Sequence, residues 1–173
     1  MAIYIRQAKK EDLNTIYSLI QSGKKVLAQE KIPQWQGIYP QKEDILQDIK
    51  QGYGYLLIKN GQIVGTATLF QREDSNYQQI YAGAWQKGLG KYATIHRIAI
   101  EPNFKGQHLG DYFFSNLISE AYRLGFREVR IDTHEKNKRM QHLILKAGFE
   151  YAGIVYMHQD PNDQRKAFQL FLK

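Results

Sequence analysis

Between Ile95 and Gly110 an apolar run ends at Pro102. A short loop, Lys105-Gly106-Gln107-His108-Leu109-Gly110, then leads straight into an amphipathic helical pattern. That order of residue types suits an anion. The N–H groups at a helix start have no intrahelical partner and lie at the positive end of the helix dipole. Glycine lets the chain turn tightly and lets a phosphate approach the backbone, and Lys105 adds a positive charge. Many strand-loop-helix junctions bind nothing, and two glycines serve equally well as turn residues. Spacing alone leaves both readings open.

The remaining reactive side chains narrow the chemistry. With no cysteine in the chain, thiolate nucleophiles, disulfide scaffolds and cysteine-based zinc sites are excluded. The five histidines, His96, His108, His134, His142 and His158, form no convincing metal pair. His134-Glu135 starts like a zinc-protease motif, but Lys138 stands where the second histidine belongs. Gly88-Leu89-Gly90-Lys91-Tyr92-Ala93 has dinucleotide-loop spacing yet precedes a strand instead of opening a helix. There is no G-x-x-x-x-G-K-[ST] loop and no G-x-S-x-G elbow. His96 lies within the apolar run, either as a proton carrier or as a packed, hydrogen-bonded histidine. Trp35, Tyr39, Tyr77, Tyr81 and Trp85 lie outside regular patterns, either as pocket walls or as loop anchors.

The elements that must position these residues follow from periodicity. Ile3 and Ile5 alternate as in a strand, and Leu13, Ile16, Tyr17 and Ile20 recur at helical spacing, with Glu11 and Asp12 suited to the first turn. A loop with Pro33, Trp35, Gly37, Tyr39 and Pro40 follows, then a short helix marked by Ile45, Leu46 and Ile49 and ended by Gly52. Tyr53 to Ile58 and Ile63 to Phe70 read as a hairpin about Asn60-Gly61. Residues 71–90 form a polar, aromatic excursion. Tyr92 to Ile100 is the next strand. Leu109 to Leu124 is a helix with Gly125 at its end, and Val129 and Ile131 mark a strand. Asn137 caps a helix with Met140, Leu143, Ile144 and Ala147 on its face. Phe149 to Met157 and Lys166 to Leu172 close the chain. The order β-α-α-β-β-β-α-β-α-β-β predicts a three-layer α/β domain with a mixed sheet.

At 173 residues the chain fits one domain over 1–173, large enough to need no disulfide or metal staple. Its start lacks the basic residues and long apolar run of a signal peptide, and no window approaches a membrane span, so a soluble cytoplasmic protein is the expectation. The net charge of +7 can attract an anionic partner. The basic residues are scattered, which argues against a dedicated nucleic-acid binder.

The stretch Ile98-Ala99-Ile100-Glu101-Pro102-Asn103-Phe104-Lys105-Gly106-Gln107-His108-Leu109-Gly110 resembles the signature of the GCN5-related N-acetyltransferase (GNAT) superfamily. Asn137-Lys138-Arg139-Met140-Gln141-His142-Leu143, followed by Lys146-Ala147-Gly148-Phe149, is similar to the superfamily's second motif. Two departures stand out. Lys105 replaces the usual Arg or Gln, and His108 replaces the first motif glycine. The His108 side chain either weakens the cofactor's seat or contacts a phosphate itself.

The resemblance implies a three-layer α/β/α fold with a mixed, centrally splayed sheet and acetyl-CoA as co-substrate. It implies transfer to a primary amine of a small molecule or peptide by direct attack, without a covalent enzyme intermediate. Ile98, Ala99 and Ile100 would pair with the pantetheine arm, the Ile98 N–H polarising the thioester. Lys105, Gly106, Gln107, His108, Leu109, Gly110 and Asp111 would hold the pyrophosphate, and Asn137 would contact the cofactor. His96 matches a histidine of arylalkylamine acetyltransferases and is the candidate base, expected on the same strand face as Ile98. The tyrosine usual after the motif leucine is Ile144 here, so Tyr156 is the candidate acid, with Tyr151, His134 or solvent as alternatives. Trp35, Tyr39, Tyr81 and Trp85 would wall the acceptor pocket. Homodimers are common in the superfamily. A non-catalytic acyl-CoA-binding module of the same fold is the competing reading.

Overall fold

The computed structural model describes residues 2–88 and 90–173, so the set-aside run Gly88-Leu89-Gly90 includes one residue, Leu89, outside the description. In chain order the elements are β1 (Ile3–Gln7), α1 (Leu13–Gln29), α2 (Lys42–Lys50), β2 (Gly54–Lys59), β3 (Gln62–Phe70), β4 (Ala93–Ile100), α3 (Leu109–Arg123), β5 (Glu128–Thr133), α4 (Lys138–Lys146), β6 (Glu150–Tyr156) and β7 (Gln164–Phe171). This is the element order that periodicity predicts. The seven strands form one mixed sheet in the order β1-β2-β3-β4-β5-β7-β6. The chain divides into two compact units: residues up to Leu69 with His96–Leu117, and Phe70–Ile95 with Ile118–Lys173.

In the first unit, β1, β2 and β3 form an antiparallel meander. Asn60 and Gly61 both take positive φ, 50° and 79°, as a tight two-residue hairpin turn requires. Successive strand side chains point to opposite faces. Leu56 and Ile58 therefore turn to one side, packing with Ile16, Ile20 and Ile45 of α1 and α2. Leu57 turns to the other, beside Gly65 and Phe113 of α3; a side chain at Gly65 would crowd Leu57, Phe113 and the Ala99 carbonyl. Glu11 and Asp12 do not open α1 as expected. They form a separate 3-10 turn, in which the Asp12 carboxylate takes the Lys9 N–H at 2.8 Å and pairs with Arg6 at 2.8 Å.

In the second unit, β5 pairs with β7 and β7 with β6, all antiparallel. The parallel ladder of β4 with β5 consists of Ala93↔Val129 and Thr94↔Arg130. Tyr77, Tyr92, Val155 and Ala167 form the local core, with Ile80, Trp85 and Met157 packed on it. The excursion after β3 adds a bridge to β6: Tyr81 and Ile154 exchange N–H···O bonds of 2.8 and 2.7 Å. Among the described residues, no helix is long and apolar enough to cross a membrane.

Candidate active site

The loop after β4 begins with a 3-10 turn, Pro102–Phe104, and opens directly into α3. Lys105, Gly106, Gln107 and His108 are exposed, whereas Leu109 and Gly110 are buried. Gly106 has φ of 83°, and a Cβ built there would meet nothing within 4 Å, so the space over the loop is open. His108 also has positive φ, 54°. The backbone at this position is thus glycine-like, which explains why glycine is the ordinary occupant and makes His108 a strained replacement. The Gln107 and Asp111 N–H groups go to the Phe104 and His108 carbonyls at 3.3 and 3.0 Å. The N–H groups of Gly106, His108, Leu109 and Gly110 have no partner among the described residues. Four donors at a helix start beside open space suit a pyrophosphate. The Asp111 carboxylate faces the His108 imidazole at 3.4 Å.

A further cation stands at this loop that the motif does not contain. Lys59, at the end of β2, bonds the Gln107 side-chain carbonyl, and its ammonium lies 5.4 Å from the Phe104 ring centroid. Its place at a strand end, far away in sequence, left no local signal.

Along β4, His96, Arg97, Ile98 and Ile100 are partly exposed and Ala99 is buried. Arg97 has φ of 50° in mid-strand. This breaks the two-residue alternation, so the expectation that His96 and Ile98 share a face loses its basis. The Arg97 guanidinium donates to Asp48 Oδ2 of α2 at 2.8 Å, and Thr68 Oγ1 of β3 donates to the same oxygen at 2.7 Å. Burial raises the Asp48 carboxyl above its ordinary value, against the opposing pull of Arg97, the Thr68 hydroxyl and the nearby His96. Sequence reading missed this cluster. The signal was there: an acidic residue three positions after Ile45 sits on the apolar face of a helix.

The loop between α1 and α2 carries two expected acceptor residues. Tyr39 lies over the Arg97 guanidinium at 5.2 Å. Trp35, with φ of 64°, lies against Gly23 of α1, which Ala99 of β4 also approaches. Lys24 Nζ ties the loop to α1 through the Gly37 carbonyl at 3.0 Å.

The other expected residues belong to the second unit. Tyr81 and Tyr156 meet edge to face with centroids 5.3 Å apart. Trp85 serves as a loop anchor: its Nε1 donates to the Tyr77 carbonyl at 2.9 Å, and the Arg130 guanidinium lies 4.2 Å from its ring. Asn137 caps α4, its Oδ1 accepting the Met140 N–H at 3.1 Å. His134 Nδ1 accepts the Lys136 N–H at 3.1 Å, and burial followed by Arg165 lowers its pKa. Ile144 is fully buried, so the place of the usual tyrosine is part of the core.

A family model described as the acetyltransferase (GNAT) family matches residues 24–149. The chain is similar to a solved GNAT-family acetyltransferase from Streptococcus agalactiae 2603, with 33% identity, 99% of this chain and 96% of that chain covered, and a TM-score of 0.90. An aminoglycoside acetyltransferase in complex with coenzyme A is 18% identical, with 98% and 95% covered and a TM-score of 0.69. The ribosomal-protein-S18-alanine N-acetyltransferase from Escherichia coli is 18% identical, with 99% and 93% covered and a TM-score of 0.65. No curated protein matches the chain.

Proposed function

The chain belongs to the acetyltransferase (GNAT) family, and from that premise we propose that it moves an acetyl group from acetyl-CoA to a primary amine of a small molecule or peptide. The observation that carries this reading is the exposed loop at the start of α3, with its four N–H donors and open space over Gly106. Lys105 supplies charge for the pyrophosphate, and Gln107 supports Lys59 beside it. Asp111 holds the His108 imidazole instead of meeting a phosphate, because its own N–H is already spent.

Ile98, Ala99 and Ile100 lie on β4 past its two-pair ladder with β5, which suits them to pairing with the pantetheine arm. The Ile98 N–H donates to the thioester carbonyl and stabilises the charge that develops on it. His96 takes the proton from the acceptor ammonium, and Tyr156 returns one to the departing thiolate. The amine attacks directly, so catalysis is chiefly positioning. Trp35 and Tyr39 line the acceptor site, Asn137 touches the cofactor, and the 173 residues act as one transferase domain. The fold is shared with an aminoglycoside acetyltransferase and an N-acetyltransferase of a ribosomal protein, so small and peptidic acceptors are both within its reach. One observation favours a non-catalytic acyl-CoA-binding module: the usual tyrosine position is the buried Ile144.

Calorimetric titration with acetyl-CoA, with ATP as control, tests the reading. Binding with a Kd of roughly micromolar order is expected. No binding at millimolar concentration overturns it. With binding in hand, CoA release is followed over a panel of amines. Release supports the transferase, and none favours the binding module. His96→Ala should lower kcat while leaving acetyl-CoA affinity intact, and an unchanged pH–rate profile removes His96 from the mechanism.

A further inference from the structure

We propose that the Asp48–Arg97 ion pair is a positioning device, in which Asp48 holds Arg97 in its left-handed conformation and so sets how β4 presents His96 and Ile98. The proposal rests on the acetyl-transfer reading for its consequence, although the holding itself does not.

Arg97 has φ of 50° inside an eight-residue strand. For a residue with a Cβ, the left-handed region is strained. Such strain persists only where the surroundings over-determine it. Here two elements contact Arg97 and a third steadies its partner Asp48. Asp48 comes from α2, Thr68 from β3 and the Tyr39 ring from the loop between α1 and α2. The Arg97 and Asp48 side chains are 10% and 7% exposed, so solvent does not compete for their charges.

A buried ion pair is weak evidence of a stabilising role. Burying two charges costs more than their attraction returns in many proteins, and apolar replacements are often neutral or stabilising. Asp48 behaves accordingly. Its carboxyl is raised, with desolvation the largest cause and the pull of Arg97 second.

Arg97 lies between His96 and Ile98, the two β4 residues to which the reaction assigns a proton and a hydrogen bond. Rotating one peptide between them moves both groups relative to each other. A displacement of about 1 Å can cost on the order of a hundredfold in rate. Asp48 thereby acts through Arg97, without touching the reacting atoms.

Four proteins test this: wild type, Asp48→Asn, and the double variants Asp48→Asn/Arg97→Gly and Asp48→Asn/Arg97→Ala. Asparagine keeps an acceptor for Thr68 and removes the charge, and glycine takes positive φ freely whereas alanine does not. The doubles avoid leaving Asp48 buried and unpaired. The first readout needs no substrate: backbone carbon chemical shifts report the conformation at position 97. A departure from the left-handed region is expected in Asp48→Asn, with return in the glycine double and not in the alanine double. Unchanged shifts in Asp48→Asn overturn the holding. The second readout is acetyl-CoA turnover with 2-phenylethylamine, extended to the amine panel, beside calorimetric affinity for acetyl-CoA. Asp48→Asn should lose about tenfold or more in kcat with cofactor affinity held, and the glycine double should turn over faster than the alanine double. Equal rates in the two doubles overturn the positioning role. A wild type that transfers to no amine removes the transferase reading and, with it, the catalytic half of the inference; the shifts still decide the holding.

Discussion

At the scale of single residues, the loop before α3 shows how one dihedral angle sets a substitution's meaning. His108 replaces a motif glycine, and its φ of 54° shows that the backbone kept the glycine conformation instead of adapting to the new side chain. The imidazole is held over the helix start by Asp111, and its side chain is 76% exposed. His108→Gly should therefore relieve strain and stabilise the fold by about 1 kcal/mol, measured by urea denaturation. The same variant decides between the two roles of the imidazole. Tighter acetyl-CoA binding means that the side chain obstructs the loop. Weaker binding means that it contacts a phosphate. The loop itself was legible in the sequence because helix start, glycine and lysine are neighbours in the chain. The strain at Arg97 was not, since arginine carries no local mark of a left-handed conformation.

At the scale of elements, the excursion between β3 and β4 is held by its backbone as much as by its aromatics. Tyr81 bridges Ile154, and the Ala84 N–H reaches the Ala152 carbonyl at 3.0 Å. A side chain at Gly83 would overlap that carbonyl and the Gly153 backbone. Glu128, Gln169 and the Gln86 backbone form a second attachment, with bonds of 2.7 to 3.0 Å. Gly83→Ala should thus cost about 1–3 kcal/mol, because backbone on both sides must move. Gly37→Ala is the control, since its Cβ meets nothing within 4 Å and no positive φ is involved. Equal melting temperatures for the two variants would show that the excursion does not dock on β6. Sequence reading identified this segment as a polar, aromatic excursion but left its aromatics open between wall and anchor. For Trp85 the anchor role is now evident from its bonds to Tyr77 and Arg130.

At the scale of the molecule, two buried carboxylates give stability opposite responses to pH. Arg6 and the Lys9 N–H hold Asp12 below the ordinary carboxylate value. Its contribution is in place above the unfolded pKa and is lost as pH falls through the folded one. Burial holds Asp48 above that value, so its contribution is in place below the unfolded pKa and is lost as pH rises through the folded one. Denaturation of Arg6→Ala should show its largest deficit against wild type at neutral pH, closing towards acid. Asp48→Asn should gain on wild type as pH rises; a deficit that grows with pH would reverse the sign assigned to Asp48. The sequence by itself determined the element order, the hairpin at Asn60-Gly61, the cap at Asn137 and the anion-suited loop. Each depends on residues within a turn or two of one another, where periodicity and backbone preference act directly. Tertiary structure decided what joins distant segments: Asp48 with Arg97 and Thr68, Lys59 with the loop at Gln107, and Tyr81 on β6. Partners such as these are selected by how the packed elements align their side chains, and no local pattern encodes that alignment.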